Sequence, residues 1–311
     1  MSERPSLNVF PTAVLLAVAV STAACDVTVN SSPTSYTARE EKRFAVAGRP
    51  ELTLGTFDGS IEIKAWDLSE VVVEIEKRAA DQALADAILV KADQSGNRIR
   101  VEVPKPAATD SVGKFRVGGG VWLFGHVSSS ARLTVSVPRE CDVLARTGDG
   151  FITIERVSGR LDLDTGDGSV KGIGLGGTLK VHTGDGRLQF RDVAGKVDLD
   201  TGDGGIEVTG VLAVVRAVTG DGSVTVRAGP GSATAEAWEI RTGDGGVFVD
   251  VPDTLGADLD ARTSDGAVRI DGLSVTRTAE AERDSIRGRL GPGGQTVRIR
   301  TGSGTITIRR Y

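Results

Sequence analysis

Six aspartates recur down the middle of the chain. Asp149, Asp167, Asp185, Asp203 and Asp221 follow one another every 18 residues, and Asp244 comes next. Carboxylates are hard oxygen ligands, so a row of them is the chemistry of a divalent-cation ridge. Calcium, however, takes about six to eight oxygens, and one carboxylate per repeat falls well short. The competing reading is structural: each Asp accepts a hydrogen bond from the backbone of its own tight turn, as Asp commonly does. Neighbouring carboxylates repel by roughly 1 kcal/mol in water and by less with salt. One such bond offsets about that much. The six are therefore candidate metal ligands, with the turn role the simpler account.

Other reactive groups are scarce. The chain has two histidines. His182 falls between Asp164 and Asp200 in an outward column of charges, which predicts a solvated ion pair. No nucleophile elbow, phosphate loop or zinc-ligand spacing occurs. Gly172-Ile173-Gly174-Leu175-Gly176-Gly177 has the glycines of a dinucleotide loop but opens no helix. No catalytic residue is named, no cofactor is expected, and the chain reads as a non-enzyme. Two cysteines exclude a disulfide framework; Cys141 reads as an inert, small apolar residue, in preference to a Cys25–Cys141 bridge over a very long loop. The net charge of −5 argues against nucleic acid as a partner, because no basic stripe is present to neutralise phosphates. Trp122 and Phe124 form an aromatic pair in a Gly-rich stretch. They read as a flap on the side of the fold, with a contact surface as the alternative.

What positions the aspartates is a repeat. Thr-Gly-Asp-Gly begins at Thr147, Thr165, Thr183, Thr201, Thr219 and Thr242. Variants begin at Thr56 (Thr-Phe-Asp-Gly), Thr263 (Thr-Ser-Asp-Gly) and Thr301 (Thr-Gly-Ser-Gly). A fixed period of this kind marks a repeat architecture. Aligned on the Thr, positions four and two before it are apolar (Leu161 and Leu163, Leu179 and Val181). So are positions five and seven after it (Ile152 and Ile154, Leu188 and Phe190). Spacing by two on each side of a break predicts two short strands per repeat, each with one inward face. Glycines flanking the Asp are expected to supply positive φ angles at the corner.

Asp-Gly between alternating strands also signals hairpins, so an antiparallel meander is the rival architecture. The outward columns decide. Three before the Thr stand Asp162, Lys180, Asp198, Arg216, Glu239, Asp260 and, later, Arg298; one before it stand Arg146, Asp164, His182 and Asp200. Signs that mostly alternate from copy to copy have a purpose only if equivalent positions lie side by side, about 4.8 Å apart. The expectation is all-β: a single elongated parallel β-solenoid, a right-handed β-helix like most parallel crossovers, with coils of 18 residues and Gly-Asp-Gly corners.

Residues 1–24 read as a signal peptide, with Arg4, an apolar core Ala13–Val20 and small residues after it. Cys25 follows Thr22-Ala23-Ala24, which resembles a bacterial lipobox whose Cys becomes the lipidated first residue. Thr22 stands where Leu is usual, so simple cleavage is the alternative. Residues 25–41 read as a tether and 42–311 as the solenoid. Insertions are expected near 79–98 (a short helix on the rim), 105–130 (a long loop) and 276–290 (a loop or short helix). Ile306, Ile308 and Tyr311 are expected to close the stack, with Arg309 and Arg310 blunting its edge.

The Phe57-Asp58-Gly59-Ser60-Ile61-Glu62-Ile63 strand followed by Trp66, the Thr-Gly-Asp-Gly ladder and the closing Thr301-Gly302-Ser303-Gly304-Thr305-Ile306 strand resemble the bacterial putative-adhesin β-strand-repeat family, a domain of unknown function. The resemblance covers residues 44–311 and implies the fold and an envelope location; it brings no catalytic residues. With the leader it implies a cell-envelope lipoprotein held to the membrane through Cys25, an adhesin or scaffold for an envelope or surface glycan or protein. A polysaccharide-active β-helix enzyme and a calcium-stabilised binding module are the alternatives.

Overall fold

The computed structural model describes residues 36–106, 113–117, 121–125, 129–278 and 282–311, with backbone alone at 113–117 and 121–125. Twenty-three strands join in one continuous sheet wrapped around a shared apolar core. Each coil has a strand before the corner and a strand after it. Residues 18 apart lie side by side in parallel register: Leu163 pairs with Val181 and Val181 with Leu199. The strands after the corner do likewise, Ile152 beside Val170 and Val170 beside Leu188. This is the solenoid-like stacking that the charge columns demanded.

The inward columns are buried along the stack, from Leu52 and Val143 through Leu161 and Val181 to Ile299. Volumes compensate within a column. Gly172 occupies an inward position where a Cβ would meet Phe190 Cδ1 at 2.7 Å and Leu175 Cδ1 at 2.7 Å, and Phe190 fills that space, fully buried. Trp238 is buried as well, its Nε1 donating to the Ala213 carbonyl at 3.2 Å.

Strand orientation is mixed, so the expected uniform parallel helix is not what forms; parallel register is kept between the stacked coils. Coil order also departs from chain order at both ends. The strand Thr296–Ser303 lies between Trp238–Asp244 and Ala257–Asp265, parallel to both. Likewise Ile306–Arg310 lies between Val247–Val251 and Val268–Asp271. The corner at Thr301 is thus inserted between those at Thr242 and Thr263. The C-terminal strand therefore does not close the stack, because the chain first builds the outer coil and then returns to fill the gap. Near the other end, Glu51–Thr56 lies between Arg98–Val103 and Asp142–Thr147.

Antiparallel strands cap both ends. Ser285–Leu290 pairs with Ala257–Asp265 and with Val275–Arg277, so the expected loop or helix at 276–290 is strand, with Ile286 and Leu290 buried. At the N-terminal end Glu70–Ala79 lies between Tyr36–Ala45 and Ser130–Pro138. Lys91–Ser95 covers the edge of Arg98–Val103. Capping strands of this kind disfavour end-to-end association of the coils. The expected tether is shorter than 25–41, since strand begins at Tyr36. The rim helix is present as Gln82–Asp86, with Asp81 accepting from the Leu84 N–H at 2.8 Å as its N-cap. The expected loop at 105–130 contains a hairpin, Gly113–Val117 with Val121–Gly125. It occupies the place of a corner: Val103 pairs with Thr56 and Leu133 with Ile61, so this insertion replaces the tetrapeptide in the outermost coil.

Candidate functional site

Corners stack in the order Thr56, Thr147, Thr165, Thr183, Thr201, Thr219, Thr242, Thr301, Thr263. Every one of these threonines is buried. Each hydroxyl donates across to a carbonyl of the neighbouring coil. Thr165 Oγ1 donates to Gly150 at 2.7 Å, Thr183 to Gly168 at 2.9 Å, Thr219 to Gly204 at 2.8 Å and Thr301 to Gly245 at 2.9 Å. The internal hydroxyl ladder binds coil to coil and satisfies carbonyls that strand pairing leaves open at the bend.

The glycines serve this stacking, and not the positive φ expected of them. None of the glycines in the six Thr-Gly-Asp-Gly copies has positive φ. A Cβ on Gly166 would meet the Gly148 oxygen at 2.7 Å, and one on Gly168 would overlap the Gly150 oxygen outright. The first glycine's N–H also donates to its counterpart's carbonyl, as from Gly166 to Gly148 at 2.5 Å. Left-handed backbone belongs to the other corner of the coil: Arg156 (φ 58°), Gly174 (φ 68°) and Asp192 (φ 54°) occupy equivalent places there. That is where the Gly-rich run 172–177 sits.

Asp149, Asp167, Asp185, Asp203, Asp221, Asp244 and Asp265 project from this ridge, all exposed. Ser303 takes the place between Asp244 and Asp265. The expected bond from each carboxylate to its own turn is not formed; none accepts a hydrogen bond among the described residues. The threonine hydroxyls hold the bend in another way, by donating to the neighbouring coil, and the aspartates face solvent. Among the described residues no group of three or more acidic, His or Cys side chains is disposed to hold a metal ion. A hollow of about 450 Å³ is lined by Asp149, Phe151 and Lys171.

Outward charges on the strands before the corner run as continuous rows. One row reads Asp162, Lys180, Asp198, Arg216, Glu239, Arg298, Asp260, Arg287, alternating in sign at every step. Arg216 bonds Asp198 at 2.7 Å and Asp200 at 3.2 Å. His182 Nδ1 lies 3.7 Å from Asp200 Oδ1, both side chains substantially exposed.

A groove of about 610 Å³ opens at the N-terminal cap, lined by Arg39, Glu40, Glu74, Glu76, Arg132 and Thr134. Burial pushes Glu40 upward, but hydrogen bonds and charge from Lys42 and Lys77 outweigh it and hold the carboxyl below its ordinary range. Glu76 is lowered in the same way, burial being overcome by Arg39 and Arg78. Both are poised as anions in ion pairs and not as proton donors. Cys141 is free and buried, and burial, with the Asp142 charge added, pushes its thiol up to about 12. A thiol so raised is not a nucleophile near neutrality.

Trp122 and Phe124 lie on the strand Val121–Gly125, and their side chains are outside the described residues. Residues 1–35, with the signal peptide and Cys25, lie outside them too. No described helix is long and apolar enough to cross a membrane.

A family model, Toastrack DUF4097, matches residues 50–309. The chain belongs to this family. Among solved structures, a "putative lipid binding protein" from Parabacteroides distasonis aligns at 14% identity and a TM-score of 0.48, covering 88% of this chain and 96% of that one. A "putative adhesin" from Parabacteroides merdae aligns at 12% identity and 0.41, covering 87% and 95%. A third, from Bacteroides fragilis, aligns at 12% and 0.32, covering 88% and 97%. No curated protein matches. The Toastrack assignment spans the ladder and the C-terminal cap, and begins after the capping strand Tyr36–Ala45. It accords with the resemblance drawn from the Thr-Gly-Asp-Gly run, a bacterial putative-adhesin domain of unknown function. Two features of the site escaped sequence reasoning: the carbonyl acceptors of the threonines, and the arginines that coil insertion brings together.

Proposed function

We propose that this Toastrack chain is a non-enzymatic binding or scaffold protein of the cell envelope. In this reading it is exported, held to the membrane by lipid on Cys25, and offers its outward faces to an envelope or surface glycan or protein. Its coils wind right-handedly, the sense usual for parallel crossovers. The observation that carries the reading is the stack of nine corners in register, which turns outward side chains into columns running the length of the sheet. Extended surfaces of this kind suit partners that are themselves extended. The leader-like residues before Cys25 support export.

Mass spectrometry of the mature N-terminus, with fractionation of the cells, tests the location. A lipid-modified Cys25 in the envelope fraction is expected; an unprocessed chain in the cytosol would overturn the reading. Release of reducing ends from envelope or plant glycans by the purified protein would overturn its non-enzymatic part.

A further inference from the structure

In the two outward columns nearest the corner, on the strands before it, charge changes sign along the stack. The central strands Ser158–Thr165, Gly176–Thr183 and Leu188–Thr201 carry Asp162, Asp164, Lys180, His182, Asp198 and Asp200 there. Toward the C-terminal end the same two columns hold Glu239, Arg241, Arg298, Arg300, Asp260, Arg262 and Arg287. Because the coil of Thr301 is inserted, Arg241 lies beside Arg300 and Arg300 beside Arg262. These arginines stand in direct register at steps of about 4.8 Å.

Elsewhere this column avoids like neighbours: Arg146 faces Asp164, Asp164 faces His182, and His182 faces Asp200. Like charges in register are destabilising, so folding does not call for the arginine ladder. The nearby carboxylates do not neutralise it. Asp260 alone serves Arg300 at 2.5 Å, Arg287 at 3.5 Å and Arg298 at 4.0 Å. Arg241 has Glu239 at 3.3 Å. Arg262 is exposed, and its side chain has neither hydrogen bond nor ion pair among the described residues. The adjoining corner column, carboxylate in the six Thr-Gly-Asp-Gly copies, has Ser303 in the coil of Arg300, between Asp244 and Asp265 in the coils of Arg241 and Arg262. All the cations here are arginines, whose planar forks grip an oxyanion with two parallel bonds where lysine offers a point charge.

We propose that this ladder is a binding site for an acidic polysaccharide, whose carboxylates seat on Arg262 and Arg241 with Arg298 and Arg287 flanking. Duplex nucleic acid is disfavoured, because it carries one charge per roughly 1.7 Å, far denser than arginines on rungs about 4.8 Å apart. The inference deepens the binding reading above and rests on it for the class of partner.

Titration of the full chain with polygalacturonate, neutral dextran and a DNA oligonucleotide tests it. Saturable binding of polygalacturonate is expected, weakening as salt rises, with none for dextran. The double variant Arg241→Glu, Arg262→Glu should lose at least about tenfold in affinity. Arg262→Ala, at an exposed and unpartnered site, should keep the wild-type unfolding midpoint and lose part of the binding. Three results would overturn the proposal: no polygalacturonate binding by folded wild type, unchanged binding in Arg262→Ala and the double variant alike, or DNA bound more tightly than polygalacturonate. An envelope-located protein blind to acidic glycans would sink the ladder alone, whereas a cytosolic protein would sink the envelope reading whatever it binds.

Discussion

The coils around Thr183 and those around Thr301 share a backbone and differ in what they display. In both, a buried threonine hydroxyl donates at 2.9 Å to the glycine carbonyl of the adjoining corner. In both, a corner amide also reaches the adjoining coil, Gly184 donating to the Gly166 carbonyl and Gly304 to the Asp265 carbonyl at 2.8 Å. Yet the two outward columns nearest the corner hold more aspartates than cations in the central coils, and more arginines than carboxylates in the C-terminal coils. Corner chemistry therefore maintains the stack regardless of surface charge, and the surface is free to carry a separate specification. Changes at the corners should act alike in both regions, and changes in the columns should not.

Corner glycines offer the largest effect. Gly168→Val in the central coils and Gly266→Val near the end each drive a branched side chain into a carbonyl oxygen, that of Gly150 or Gly304. Both should destabilise by several kcal/mol, measured by chemical denaturation, because neither carbonyl can retreat without breaking the adjoining rung. Gly166→Val, where the oxygen stands at 2.7 Å, should follow somewhat behind. A midpoint shift confined to one region would mean that the corners are not equivalent.

How far the sequence revealed this arrangement depends on the element. Lateral stacking was legible because a single column, Asp162-Lys180-Asp198-Arg216, makes electrostatic sense only when residues 18 apart are neighbours. The same column held the clue to coil insertion. In chain order Glu239 precedes the like-charged Asp260, and the alternation is restored only by placing Arg298 between them, as the structure does. The caps were less legible. Ser-Ile-Arg-Gly-Arg-Leu at 285–290 looks like a charged loop, but Ile286, Gly288 and Leu290 alternate inward while the arginines face out. The role of the corner glycines was hidden because tolerance of positive φ and tolerance of a stacked backbone select the same residue.

Removing the hydroxyl comes next in size. Thr183→Val keeps shape and loses the bond to Gly168, leaving a buried carbonyl short of a donor. Thr301→Val does the same to Gly245. A loss of about 1–2 kcal/mol is expected from each, and unequal losses would show that one region depends on the ladder more than the other.

Charge changes should divide the regions. Burial pushes the Asp260 carboxyl upward, but the Arg300 hydrogen bond and the Arg300 and Arg287 charges prevail and hold it below the usual carboxylate range. A carboxyl lowered on folding contributes stability above its unfolded pKa, about 4, and that contribution is lost as pH falls through the lower folded value. Asp260→Asn should thus destabilise by about 1 kcal/mol at neutral pH and flatten the acid limb of the unfolding curve. Asp198→Asn, whose partner Arg216 is more exposed, should do less.

The smallest effect belongs to the corner aspartates themselves. Asp185 is exposed, accepts no hydrogen bond among the described residues, and stands between Asp167 and Asp203 on the ridge. Asp185→Asn removes a like-charge neighbour without removing any bond. The unfolding midpoint should rise by the equivalent of less than about 0.5 kcal/mol, and less still at high salt. Calcium sharpens the result. If the ridge merely tolerates its carboxylates, the wild-type midpoint is unmoved by calcium or chelator, and the variant differs from it only through repulsion. A calcium-dependent rise in the wild type that Asp185→Asn abolishes would instead make the carboxylate row a cation site, and the ridge would join the arginine ladder as a second binding surface of opposite charge.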